Sequence, residues 1–154
     1  MIVINNNDPS FGKIYTHPYP HLIKNVKEKW KYNNIILVVS LLESYHYKKI
    51  DYGDIESINY PITDFSIPKV IESFKKCIDY LLTLIKSGNN IAIHCFGGHG
   101  RTGTVAAILY AILNNIDGQE SLLKIRQLEP NYVETTEQEN FVTYFVEYYK
   151  KNQT

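Results

Sequence analysis

The stretch Ile91-Ala92-Ile93-His94-Cys95-Phe96-Gly97-Gly98-His99-Gly100-Arg101-Thr102-Gly103-Thr104 decides the fold. Ile91 to Ile93 is a short apolar run, which reads as a buried strand. A glycine-rich loop follows. Thr102 to Leu113 (TGTVAAILYAIL) then reads as an apolar helix. Strand, loop and helix N-terminus together make a site for an anion. The loop amides and the positive end of the helix dipole converge on one point.

The loop begins with a cysteine and ends with an arginine, which turns anion binding into anion chemistry. Backbone N–H groups and a helix N-terminus favour the thiolate of Cys95 over its thiol. Arg101 presents a planar fork that matches two phosphate oxygens. A nucleophile and a guanidinium folded around one tetrahedral anion imply phosphoryl transfer through a phosphocysteine. The plainer readings are a buried structural cysteine and a surface salt bridge. Neither accounts for the C-x5-R spacing behind a strand.

Outward from this stretch, the 154 residues have the length of one domain, read as 1–154 with an irregular arm over 1–11. Hydrophobic residues are 44% and charged residues 21%, within the range of ordinary globular chains. The formal net charge is +0, so no global field draws in nucleic acid or an anionic membrane, and neither is expected as a partner. Attraction for an anion must be local. The start of the chain, MIVINNNDPS, lacks the features of a signal peptide, and no stretch has the length and apolarity of a membrane span. There are two cysteines, Cys77 and Cys95. The setting of Cys95 points to a working thiol in a reducing, cytoplasmic compartment. Cys77 reads as core packing, with a redox partnership as the alternative.

In chain order, Gly12 to Tyr15 reads as a short strand and Thr16-His17-Pro18-Tyr19-Pro20 as a plain turn. His21 to Tyr32 reads as a surface helix and Ile35 to Leu42 as a central buried strand. Glu43 to Asp54 follows that strand at the edge where α/β sheets bind ligands, though a solvated connection is the simpler reading. Ile55 to Tyr60 is a further strand. Pro61 to Pro68 is a loop, and Val70 to Lys86 an amphipathic helix closed by Ser87-Gly88. Asp117 caps a helix running to Leu128, and a last helix begins near Thr135 or Thr136, with Thr136 and Glu139 in capping-box spacing. Strands alternating with helices predict an α/β fold. Its centre is a mostly parallel sheet of about four to five strands flanked by helices.

His94-Cys95-x5-Arg101-Thr102 resembles the H-C-x5-R-[ST] signature of the cysteine-based protein phosphatases. HCFGGHGRTGT is similar to the compact dual-specificity branch, especially its small archaeal-type enzymes, and the likeness covers most of the chain. The resemblance implies a protein tyrosine phosphatase-like fold and hydrolysis of phosphotyrosine, and possible action on phosphoserine and phosphothreonine. It implies no metal and no cofactor, and phosphorylated proteins as partners. It implies that a turn at Thr16–Pro20 packs near the active-site loop, against the plain reading above, and it also implies roles. Cys95 is the nucleophile. Arg101 binds phosphate with the loop residues Phe96, Gly97, Gly98, His99 and Gly100. Thr102 donates to the cysteine sulfur, and His94 orients the loop. Asp64, in P-x-x-D-x-x-x-P, matches the acid loop that protonates the leaving group, although the Trp-Pro-Asp of the tyrosine-specific branch is absent. Asp51, Asp54 and Asp79 compete with it, and an Asx turn is its plainer reading. Val133 to Phe141 resembles V-x-T-x-E-Q-x-x-F, in which Gln138 places the hydrolytic water. Without the resemblance Gln138 is an exposed helical residue.

The same loop chemistry serves phosphoinositides or RNA 5′-phosphates in enzymes of related fold. This loop carries no lysine, as lipid-directed members often do. Phe96 and Gly97 stand where RNA 5′-phosphatases commonly have Thr and His. A binding module without turnover, sulfur transfer and arsenate reduction are weaker alternatives. Composition does not fix the oligomeric state.

Overall fold

The computed structural model describes residues 1–153. Five strands form one sheet in the order β1 (Ile2–Ile4), β2 (Ile14–His17), β5 (Asn90–His94), β3 (Ile35–Ser40) and β4 (Glu56–Asn59). All neighbours run parallel except β1 and β2, which are antiparallel. The mostly parallel sheet expected from the alternation of elements is therefore present, with one antiparallel edge. That edge corrects the reading of residues 1–11 as irregular. Ile2, Val3 and Ile4 pair with Thr16, Tyr15 and Ile14, and Ile4 is wholly buried.

Helices α3 (Ile71–Lys86), α4 (Gly100–Leu113), α5 (Gly118–Leu128) and α6 (Thr136–Lys151) contribute to one core; α1 (Val26–Tyr32) contributes to another. Strand periodicity separates the two cores. In β5, Ile91 and Ile93 face the four-helix side, with Leu37 and Val39 of β3, whereas Ala92 and Val38 face Trp30 and Val26 of α1. Each fully buried Ile or Leu adds about 1.5–3 kcal/mol by leaving water, so β5, buried on both faces, anchors the sheet.

The helix expected over His21–Tyr32 is shorter. Pro20–Leu22 forms a 3-10 turn, and Asn25 adopts a left-handed conformation (φ 57°), so the α-helix starts only at Val26. A short helix, α2 (Ser44–Tyr47), follows β3. No helix among the described residues is long and apolar enough to cross a membrane.

Candidate active site

Three parallel strands end side by side. His94 of β5 pairs with His17 of β2 and with Ser40 of β3. Chain leaving the middle strand at this carboxyl edge enters a crevice between its neighbours, where such sheets bind ligands. The Cys95–His99 loop fills that place and leads into α4. The Gly98 N–H points at Cys95 Sγ (3.3 Å). Gly98 has φ +80°, and a Cβ there would stand 2.9 Å from the His17 carbonyl carbon, so only glycine fits. Thr16 and His17 belong to β2, and the turn that follows them, Pro18–Pro20, packs directly on the loop: Tyr19 N–H donates to Phe96 O (2.8 Å). Its reading as a plain turn is corrected.

Arg101, 3% exposed, lies in the first turn of α4. Its Nη1 donates to Glu43 Oε1 (2.8 Å) and to Ile62 O (2.9 Å), while Nη2 lies 3.2 Å from Asp64 Oδ1. Its Nε and the hydroxyl of Thr102 are buried without a hydrogen-bond partner in the protein. Buried donors left open are costly. Here two sit on consecutive residues at the N-terminus of one helix, directly after the cysteine loop, which is a place built for a ligand rich in acceptor oxygens.

Glu43 and Tyr52 are the site residues that no sequence pattern marks. Burial pushes the Glu43 carboxyl up, but its own backbone N–H, Arg101 and His46 outweigh this and hold it below the usual range. It stands just past the carboxyl end of β3, so the rule that pointed to segment 43–54 as a site rim contained the signal. The same segment supplies Tyr52. Asp51 instead pairs with Lys27, and Asp79 with Lys75 and Tyr149. Of the carboxylates weighed as the acid, Asp64 is the one in contact with Arg101.

His94 is wholly buried. Its Nδ1 lies 3.0 Å from Cys95 O, which can only accept, so Nδ1 carries the proton. Nε2 therefore accepts from the Tyr52 hydroxyl (2.8 Å). Burial pulls its pKa down to about 3, and His17 and Arg101 add to the effect. His17 stacks on the His94 ring (centroids 5.3 Å) and accepts from Trp30 Nε1 (3.0 Å). Burial lowers it to about 4. Both imidazoles are neutral props beneath the nucleophile, not proton carriers near neutral pH.

Gln138, expected to be exposed without the resemblance, is wholly buried. The capping box of α6 is formed by Thr135 and Gln138, not by Thr136 and Glu139. Gln138 Oε1 accepts from Glu134 N–H and Thr135 N–H, and its Nε2 donates to Ser66 O (3.2 Å). Gln138 borders Gly100, as does the Glu134 carboxylate, but its carboxamide is engaged by the chain. His99 lies at the start of α4 and is partly exposed. Phe96 (50% exposed) and Phe65 (59% exposed), beside the nucleophile and the acid, present aromatic surface; Tyr19 stacks on Phe96. Cys77 packs against the larger core, and burial pushes its thiol up to about 11, as expected of a packing residue.

Known proteins share this fold. Tk-PTP, solved in its active form, has 25% identity and superposes with a TM-score of 0.71 over 90% of this chain and 97% of that one. PTPMT1, solved in complex with PI(5)P, gives a TM-score of 0.77 at 16% identity over 90% of this chain and 92% of that one, a likeness of fold. An uncharacterised protein of Methanocaldococcus jannaschii is 39% identical over 97 residues, which are 63% of this chain and 62% of the relative. This chain thus spans less than two thirds of that relative's length. Residues 18–114, from the turn packed on the loop to the end of α4, match the family described as "Polymorphic toxin system, DSP-PTPase phosphatase". With the fold, the loop and the sequence match in agreement, the chain belongs to the DSP-PTPase phosphatase family.

Proposed function

We propose that the protein hydrolyses phosphorylated protein side chains, phosphotyrosine foremost, through a phosphocysteine on Cys95. The observation that carries this reading is the pair of open buried donors, Arg101 Nε and Thr102 Oγ1, in the first turn of the helix that the Cys95 loop leads into. In the first step the Cys95 thiolate attacks phosphorus. The P–O bond to the leaving phenoxide breaks, and Asp64 as a carboxylic acid supplies that oxygen's proton. In the second step water attacks phosphorus and passes a proton to the Asp64 carboxylate. The P–S bond breaks, and phosphate and the thiolate are released. Gly98 N–H and the Thr102 hydroxyl stabilise the departing sulfur, and Arg101 holds two equatorial oxygens throughout. The loop amides from Phe96 to Gly100 complete the anion cradle. Exposed Phe65 and Phe96 favour a flat aryl phosphate.

Cys95→Ser should abolish turnover of an aryl phosphate while vanadate or tungstate still binds. Turnover equal to wild type in that variant rejects the mechanism. Rates on a phosphotyrosine peptide, a phosphothreonine peptide, a phosphoinositide and a 5′-triphosphate RNA, compared side by side, test the substrate class. Preference for either of the last two rejects the protein-directed reading.

A further inference from the structure

The acid loop, Pro61 to Pro68, hangs from the phosphate loop by few ties. Ile62 O accepts from Arg101, Asp64 faces the same guanidinium, and Ser66 O accepts from Gln138 Nε2. The third tie originates elsewhere in the molecule, in the first turn of α6, whose position is set by the turn between α5 and α6. Val133 there has φ +66°, a conformation that β-branched residues avoid and that persists only where its surroundings impose it.

The surroundings are visible. Arg126 of α5 donates from Nε to Tyr132 O (2.9 Å) and from Nη2 to Val133 O (2.8 Å), and its Nη1 pairs with Glu139 of α6 (3.0 Å). Val133 N–H donates to His99 O (3.0 Å), at the end of the phosphate loop. Gly103 lets the turn press onto α4; a Cβ there would stand 2.7 Å from Val133 N. With the turn fixed, the next two N–H groups, of Glu134 and Thr135, point at Gln138 Oε1 (2.9 and 3.2 Å). An amide whose oxygen is fixed has its nitrogen fixed as well. The Gln138 Nε2 is therefore aimed at Ser66 O, two residues beyond Asp64.

We infer that Gln138, set by the Arg126-clamped turn, is a positioning residue that holds the acid loop over the phosphate loop, so that Asp64 meets the leaving-group oxygen. This rests on the phosphatase reading above and departs from a water-placing role for Gln138.

Gln138→Glu isolates the latch. The new carboxylate keeps an acceptor for Glu134 N–H and Thr135 N–H, so the helix cap survives, but it places an oxygen against Ser66 O where a donor stood. A general acid matters most when the leaving group is poor. Phenyl phosphate turnover should fall about 10-fold or more, while dinitrophenyl phosphate, which leaves without a proton, loses less than about 3-fold. Asp64→Asn should show the same pattern more strongly, about 100-fold on phenyl phosphate, and Gln138→Glu added to it should cost little more. Tungstate affinity should hold in all three.

Arg126→Lys, which drops the paired hold on Tyr132 and Val133, provides a second route and should give the same pattern in weaker form. Equal losses on both substrates in the folded variants overturn the latch. So does a burst of phenoxide release followed by slow phosphoenzyme breakdown, which would assign Gln138 to the water. If Asp64→Asn shows the leaving-group pattern and neither Gln138→Glu nor Arg126→Lys does, the latch alone fails. If Asp64→Asn lacks the pattern, the acid reading fails and the latch with it.

Discussion

Arg101 commits one nitrogen to Glu43 and Ile62 and leaves Nε open, so the carboxylate of Glu43 aims the guanidinium that binds phosphate. Glu43→Ala should therefore weaken tungstate binding and lower kcat/KM for aryl phosphates by about 10- to 150-fold, the worth of one charge-assisted contact of about 1.5–3 kcal/mol. Calorimetry with tungstate and steady-state rates would check this; unchanged values would show Arg101 to be aimed without it. Cys95 and Arg101 are legible in the sequence because spacing carries them, and Asp64 because its loop resembles a known acid loop. The first two bracket one loop, and Asp64 sits between two prolines. Glu43 and Tyr52 were not legible, since each meets its partner across the sheet, 58 and 42 residues away. Only the rule that ligands gather at strand ends narrows such a search.

Helix starts were readable from caps, where the chemistry is local. Asp117 accepts from Glu120 N–H (2.8 Å) at the head of α5, as its type and place indicate. Asp117→Ala should lower unfolding free energy by about 1 kcal/mol, measured in urea, with aryl phosphate turnover unchanged because the cap lies away from the site. At α6 the pattern was ambiguous by one residue. Thr135 and Thr136 both have an acceptable partner three positions on, and Gln138 rather than Glu139 completes the box because it also reaches the acid loop. Apolar spacing continues through His21–Asn25, but the first helix starts only after the left-handed Asn25, which breaks the backbone. Hydrophobic spacing does not register such a break. The edge strand β1 was missed for a similar reason, since three residues are too short to show an alternation.

For the whole molecule, two neutral imidazoles buried under one loop make stability depend on acidity. His17 and His94 titrate near 6.5 when unfolded, but at about 4 and about 3 in the fold. Between these values the unfolded chain binds more protons, so stability falls as pH drops below about 6.5, by up to about 1.4 kcal/mol per pH unit for each ring. The urea midpoint should be lower at about pH 5 than at about pH 7, before the carboxylates are protonated. An unchanged midpoint would mean that the rings carry their protons in the fold. The sheet order has a consequence of its own. β5 is hydrogen-bonded on both flanks and buried on both faces, so its amides open to solvent only when the sheet comes apart. Fraying cannot unseat the strand end from which the Cys95 loop springs. Heat or denaturant should remove chemistry and architecture in a single event, with no inactive but intact form between them.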